Sequence, residues 1–71
     1  MPLDQRFAKF GRIVKSLRIE KEITQEDLAE KANLHVTFIS RIENGKANVS
    51  LDTVLKLANA FGIEVKDLFE F

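Results

Sequence analysis

Residues 24–45 carry start and stop signals so closely spaced that they admit one kind of local structure. Thr24 supplies an N-cap hydroxyl, and Gln25, Glu26 and Asp27 place acceptors and negative charge in a first turn whose backbone amides lack intrahelical partners. A helix is therefore expected over residues 25–32. Leu28, Ala29 and Ala32 share one face of it, and the two small alanines let a neighbouring helix come close. Asn33 tolerates the left-handed conformation of a helix stop, and Leu34 follows it in the break. His35 is the expected N-cap of a second helix over about residues 36–44, which Gly45 closes between Asn44 and Lys46. The outcome is two short helices joined by a tight turn.

The second helix is read by angle. At about 100° per residue, Ile39 and Ile42 define the buried direction, while Thr37, Ser40 and Arg41 fall on the far side with Val36 at the edge. The second helix of such a pair can lie in the major groove of DNA, inserted by its N-terminal half. Val36, Thr37, Ser40 and Arg41 are then the expected base readers. Arginine can donate two hydrogen bonds to guanine, and the methyl groups of Thr37 and Val36 suit a thymine methyl. Gln25, His35, Asn44, Lys46 and Asn48 surround this face and are the expected phosphate contacts. Bland alternatives stand beside these roles: Gln25 as a capping residue, Asn44 as a helix end, Lys46 as a solvated charge, and Arg41 as a phosphate contact or a glutamate's surface partner.

The run Thr24-Gln25-Glu26-Asp27-Leu28-Ala29-Glu30-Lys31-Ala32, then Leu34, then Ile39-Ser40-Arg41-Ile42-Glu43-Asn44-Gly45-Lys46, resembles the XRE-type helix-turn-helix family of small phage repressors and Cro proteins. The likeness extends over about residues 10–69, and the chain is also similar to the controller proteins of restriction-modification systems. It implies an all-α, compact five-helix lambda-repressor-like domain that binds double-stranded operator DNA as a homodimer. It implies a structural ion pair between Arg18 and Glu43, tying the first helix to the second helix of the motif. It also implies a twofold contact built from the last helix and the loop before helix four. One position departs from the pattern: Glu22 stands where the family usually has glycine, so either the turn keeps its shape and forces Glu22 to positive φ, or the first helix runs on differently.

Seventy-one residues suffice for one domain, residues 1–71, and give a marginal core that self-association often supports. No cysteine is present, so disulfides and thiolate zinc sites are excluded, and the single histidine is not expected to hold a metal. No cofactor is expected. The absence of a long apolar run or signal-like N-terminus points to a soluble cytoplasmic protein without a membrane partner. The formal net charge is zero, but residues 1–21 carry Arg6, Lys9, Arg12, Lys15, Arg18 and Lys21 against only Asp4 and Glu20. A local basic surface can meet phosphates even so, although a weak overall field limits non-specific affinity.

The first helix is expected over residues 4–21, with Phe10, Ile13, Val14 and Leu17 inward and Phe7 extending the stripe. Ser50 is the expected N-cap of a fourth helix that buries Leu51, Val54, Leu55, Ala58 and Phe61 before stopping at Gly62. A last helix covers residues 65–69. Leu68, Phe69 and Phe71 crowd three large apolar side chains into the terminus and are assigned to the dimer interface, with Leu68 able to reach the core. No glycine-rich phosphate loop or nucleophile beside a histidine is present, so catalysis is not expected. The runner-up reading is an antitoxin-type module that chiefly binds a protein. RNA polymerase is a further partner if the protein activates transcription, through acids such as Glu26, Glu30 or Glu43.

Overall fold

The second, third and fourth helices of the protein each begin and end on hydrogen bonds that their own sequence supplies. The structure, a computed structural model, describes residues 5–70; the expectations placed on Asp4 and Phe71 lie outside them. Four α-helices follow one another, α1 (Gln5–Glu20), α2 (Gln25–Ala32), α3 (Val36–Glu43) and α4 (Leu51–Phe61), and a 3-10 helix, Val65–Phe69, ends the order. Among the described residues there is no strand. The architecture is all-α. The expected fifth helix is this 3-10 segment, five residues long, too short to build a ladder of α-type bonds.

α2 opens on a reciprocal capping box: Thr24 Oγ1 accepts from the Asp27 amide at 3.0 Å, and Asp27 Oδ2 accepts from the Thr24 amide at 3.0 Å. It ends at Asn33, left-handed with φ 56°. At the start of α3, His35 Nδ1 accepts from the Thr37 amide at 3.1 Å, so histidine serves as the cap there. At its end the Gly45 amide reaches Ile42 O and the Lys46 amide reaches Arg41 O, the paired bonds of a left-handed glycine stop with φ 72°. α4 starts on Ser50, whose Oγ accepts from the Thr53 amide, and stops at Gly62.

The core gathers Phe10 and Val14 of α1, Leu28, Ala29 and Ala32 of α2, Ile39 and Ile42 of α3, Val54, Leu57, Ala58 and Phe61 of α4, and Leu68. α1 and α2 both pack on α3, α2 also meets α4, and the 3-10 helix sits against α1 and α4. Ala47 pins the loop after α3 to this core. Where α1 crosses α3 the backbones nearly touch. A Cβ on Gly11 would lie far inside van der Waals contact distance of the Ile42 carbonyl oxygen, so this crossing requires a residue at position 11 that lacks one.

Two expectations for α4 are corrected. Leu51 and Leu55 are not core residues: they are 71% and 50% exposed, whereas Thr53 and Leu57 are buried. The reason is angular. Val54, Leu57, Ala58 and Phe61 centre the inward face, and at about 100° per residue Leu51 and Leu55 rotate to one edge of it and beyond. In α1 the stripe is as expected in direction, with Phe10 and Val14 buried and Phe7, Ile13 and Leu17 half-buried.

The turn after α1 keeps its shape at the expense of Glu22, which takes φ 56° while its amide bonds to Ile19 O. A left-handed non-glycine residue costs about 1–2 kcal/mol, partly offset because glycine loses more chain entropy on folding. Glu22→Gly is therefore expected to stabilise the protein by about 0.5–1 kcal/mol, a rise of several degrees in Tm. Gly11→Ala should do the opposite, costing about 1–3 kcal/mol because a backbone oxygen cannot step aside. Thermal denaturation of both variants checks this, and an unchanged or lower Tm for Glu22→Gly refutes the strain.

The capping box also makes stability depend on pH. The Thr24 backbone amide, and then its hydroxyl, hold the Asp27 carboxyl below its ordinary value. A group whose folded pKa is depressed stabilises the fold above its unfolded pKa, about 3.9, and loses that contribution as pH falls through the folded pKa. The stability difference between wild type and Asp27→Asn should thus be full at neutral pH and shrink below about pH 4. A difference independent of pH removes Asp27 from the cap.

Candidate nucleic-acid interface

α3 is packed between α1 and α2 and presents its remaining face to solvent. Its carboxyl-terminal Glu43 is enclosed, its side chain only 2% exposed beside an Arg18 side chain at 15%. Arg18 Nε donates to Glu43 Oε2 at 2.7 Å and Nη2 donates to Oε1 at 3.1 Å, a two-pronged pair between α1 and α3. The remaining Arg18 nitrogen, Nη1, donates to Ile23 O at 3.0 Å and ties in the turn before α2. The hydrogen bonds to Glu43 hold the Arg18 guanidinium above its already high ordinary pKa, so its charge is permanent. Enclosure also takes Glu43 away from any partner's reach, which corrects its inclusion among the acids offered to a polymerase. Glu26 and Glu30 on α2 are exposed.

The side chains proposed as base readers lie together on the free face. Thr37 and Arg41 are exposed, one turn apart, and Val36 and Ser40 are half-buried beside them. Arg41 does not extend freely: its Nη2 donates to the Lys46 carbonyl at 2.9 Å, across the end of α3. That bond places a cation where the helix carbonyls are unpaired and braces the loop that follows. Lys46, Asn44 and Asn48 are exposed around this end, and His35 is exposed at the other.

Gln25 stands apart from the remaining phosphate candidates. It is half-buried, and its Nε2 donates inward to Glu43 Oε1 at 3.0 Å. Its backbone amide, with that of Glu26, belongs to the first turn of α2 and has no intrahelical acceptor. Neither the Gln25 bond to Glu43 nor the Arg41 bond to Lys46 was legible in the sequence, because each depends on which way a side chain turns in three dimensions.

At the terminus, Leu68 is wholly buried in the protomer and has no surface to give a second copy, which corrects its place in the interface. Phe69 is 45% exposed and its ring lies 5.4 Å from that of Phe10. The larger exposed apolar surface is on α4, at Leu51 and Leu55, one helical turn apart. Helical angles measured against the whole inward face, not against the nearest leucines, would have revealed it.

An open groove elsewhere, between α1 and the 3-10 helix, is lined by Lys9, Arg12, Ile13, Ser16, Asp67 and Glu70 and involves no residue of α3. Among the described residues no group of histidines and acids could hold a metal ion, and no helix is long and apolar enough to cross a membrane.

Known proteins share this arrangement. A family model for the helix-turn-helix matches residues 14–68. Control protein C.BamHI of Bacillus amyloliquefaciens is 46% identical over 63 residues, which cover 87% of this chain and 78% of that protein. The solved structure of the restriction-modification controller protein C.AhdI from Aeromonas hydrophila is similar with a TM-score of 0.87 at 41% identity, covering 89% of this chain and 96% of that one. The restriction-modification controller protein C.Esp1396I, solved as a tetramer in complex with its natural 35 base-pair operator, is similar with a TM-score of 0.86 at 33% identity, covering 94% and 88%. A match of this extent, over a chain whose α2 and α3 form the motif, places the protein in the helix-turn-helix family.

Proposed function

We propose that this protein is a cytoplasmic transcriptional regulator that binds a palindromic operator as a homodimer, in the manner of a restriction-modification controller or a small phage or plasmid repressor. The observation that carries the reading is the free face of α3, where Val36, Thr37, Ser40 and Arg41 lie together on a helix fixed by an enclosed ion pair. The similarity to C.Esp1396I, a protein solved on its operator, supports it. In this reading residues 1–71 act as one lambda-repressor-like domain, the 3-10 helix standing as the fifth helix. α3 enters the major groove by its N-terminal half, and no cofactor takes part.

Phosphates meet the first-turn amides of α2, including that of Gln25, and the His35, Asn44, Lys46 and Asn48 side chains around α3. If the protein activates transcription, Glu26 and Glu30 supply the acidic surface for RNA polymerase. The second copy covers Leu51 and Leu55 together with the exposed part of Phe69, and that coverage supports a core small enough to need it.

Arg41 decides whether sequence is read in this way. Its guanidinium spends one donor on Lys46 O and retains others for a guanine. Selection of binding sites from a random library should yield a palindrome with half-sites about one DNA turn apart. Arg41→Ala should cost about 1–3 kcal/mol on that site and relax one symmetric position in each half. An unaltered consensus with evenly reduced affinity would make Arg41 a phosphate anchor.

The dimer face has its own test. Leu51→Ser combined with Leu55→Ser removes apolar surface that is exposed in the protomer, so the monomer's fold should survive while sedimentation shifts from dimer to monomer at micromolar concentration. A variant that remains dimeric locates the twofold contact elsewhere.

A further inference from the structure

Thr24 fixes the start of α2 through its capping box, and so fixes Gln25 as the first helical residue. From that position the side chain runs to Glu43, at the far end of α3 and 18 residues away in sequence. A carboxylate only accepts hydrogen bonds, so Gln25 must present its NH2 group to it, and the carbonyl of the same amide faces elsewhere. One hydrogen of that NH2 group is committed to Glu43, so at most one remains to donate to a phosphate, which also only accepts. We propose that the Gln25 side chain is a positioning residue for α3: by holding Glu43 from the α2 side, it sets the angle at which the reading face meets DNA. This rests on the operator-binding reading above and deepens it.

Glu43 accepts three bonds, two of them from Arg18 of α1 and the third from Gln25. Gln25 is thus the direct polar tie from α2 to the end of α3; without it the polar link between the helices of the motif runs only through Arg18, which binds Glu43 and the Ile23 carbonyl before α2. α2 buries Leu28, Ala29 and Ala32, and apolar contacts are non-directional, so they fix that angle less sharply than a hydrogen bond does. Base reading tolerates little tilt, because donors must meet base edges within about 0.5 Å. Non-specific binding tolerates far more, since it depends on charge and counterion release. Loss of a positioning tie therefore lowers the ratio of specific to non-specific affinity. Loss of a phosphate contact lowers both affinities alike and leaves the ratio unchanged.

The test uses the full chain with Gln25→Met, which preserves length and bulk without a donor, and with Gln25→Ala. Affinities are measured by fluorescence anisotropy on the duplex selected by wild type and on a scrambled duplex of equal length, at two salt concentrations. Circular dichroism at the same temperature establishes that each variant is folded. Both variants should bind the selected duplex on the order of tenfold more weakly, with unchanged affinity for the scrambled duplex and an unchanged salt slope. Equal losses on the two duplexes would make Gln25 a phosphate anchor and overturn the proposal. So would wild-type affinity for the selected duplex in folded Gln25→Met. If wild type itself selects no sequence, the operator reading fails before any variant is measured, and the inference goes with it.

Discussion

The Glu43 carboxylate is the constraint on which the rest depends. A charge removed from water is tolerable only when its partners are complete, and here Arg18 and Gln25 supply three donors from two other helices. The eight residues of α3 are too few to form a stable helix alone. What holds them is external: Ile39 and Ile42 in the core, the crossing at Gly11, the caps at His35 and Gly45, and this carboxylate at the end. Removing Arg18 or Glu43 leaves the other charge enclosed without its match, a larger loss than the pair's own attraction contributes. An enclosed pair of this kind gives geometry more than stability, and geometry is what a reading helix requires.

The same economy explains how so short a chain stays ordered. Its caps are local and its glycines few, and the close crossing of α1 over α3 needs one residue without a Cβ, at Gly11. Glu22 shows the opposite choice, a charged residue kept in a conformation that favours glycine. The turn holds because both neighbours restrain it: its own amide bonds to Ile19 O, and Arg18 binds the Ile23 carbonyl. One arginine thereby fixes the exit of α1, the entry to α2 and the end of α3.

What was legible in the sequence was whatever is local. Thr24, Asn33, Gly45, Ser50 and Gly62 act within a few residues of themselves, so the bounds of α2 and α4 and the left-handed stops could be read directly. The outward face of α3 followed from its period. Leu51 and Leu55 were misplaced because apolar content signals a stripe without giving its width, and the edge of α4's buried face falls between Leu51 and Val54. Leu68 was misassigned for the complementary reason, since nearness to a terminus does not show which way a side chain turns. The bonds from Gln25 to Glu43 and from Arg41 to Lys46 depend on tertiary placement and side-chain rotamer, which no periodicity encodes.

Electrostatics then sets how the candidate face can work. With eleven basic and eleven acidic residues the protein has no net field to draw it to DNA, and the basic excess is confined to residues 1–21. A strongly basic domain binds many sequences and corrects for imprecision by charge; a neutral one has weaker non-specific binding as its starting point. Discrimination then depends on a few contacts being in place on first encounter. The features around α3 serve that need: Arg41 is braced by Lys46 O, the following loop is pinned by Ala47, and the helix end is tied by Gln25 and Arg18. Held parts lose less freedom on binding, so more of each contact appears as affinity for the right sequence. In a neutral protein of this size that binds DNA as proposed, rigidity beneath the candidate face takes the place that positive charge holds in others.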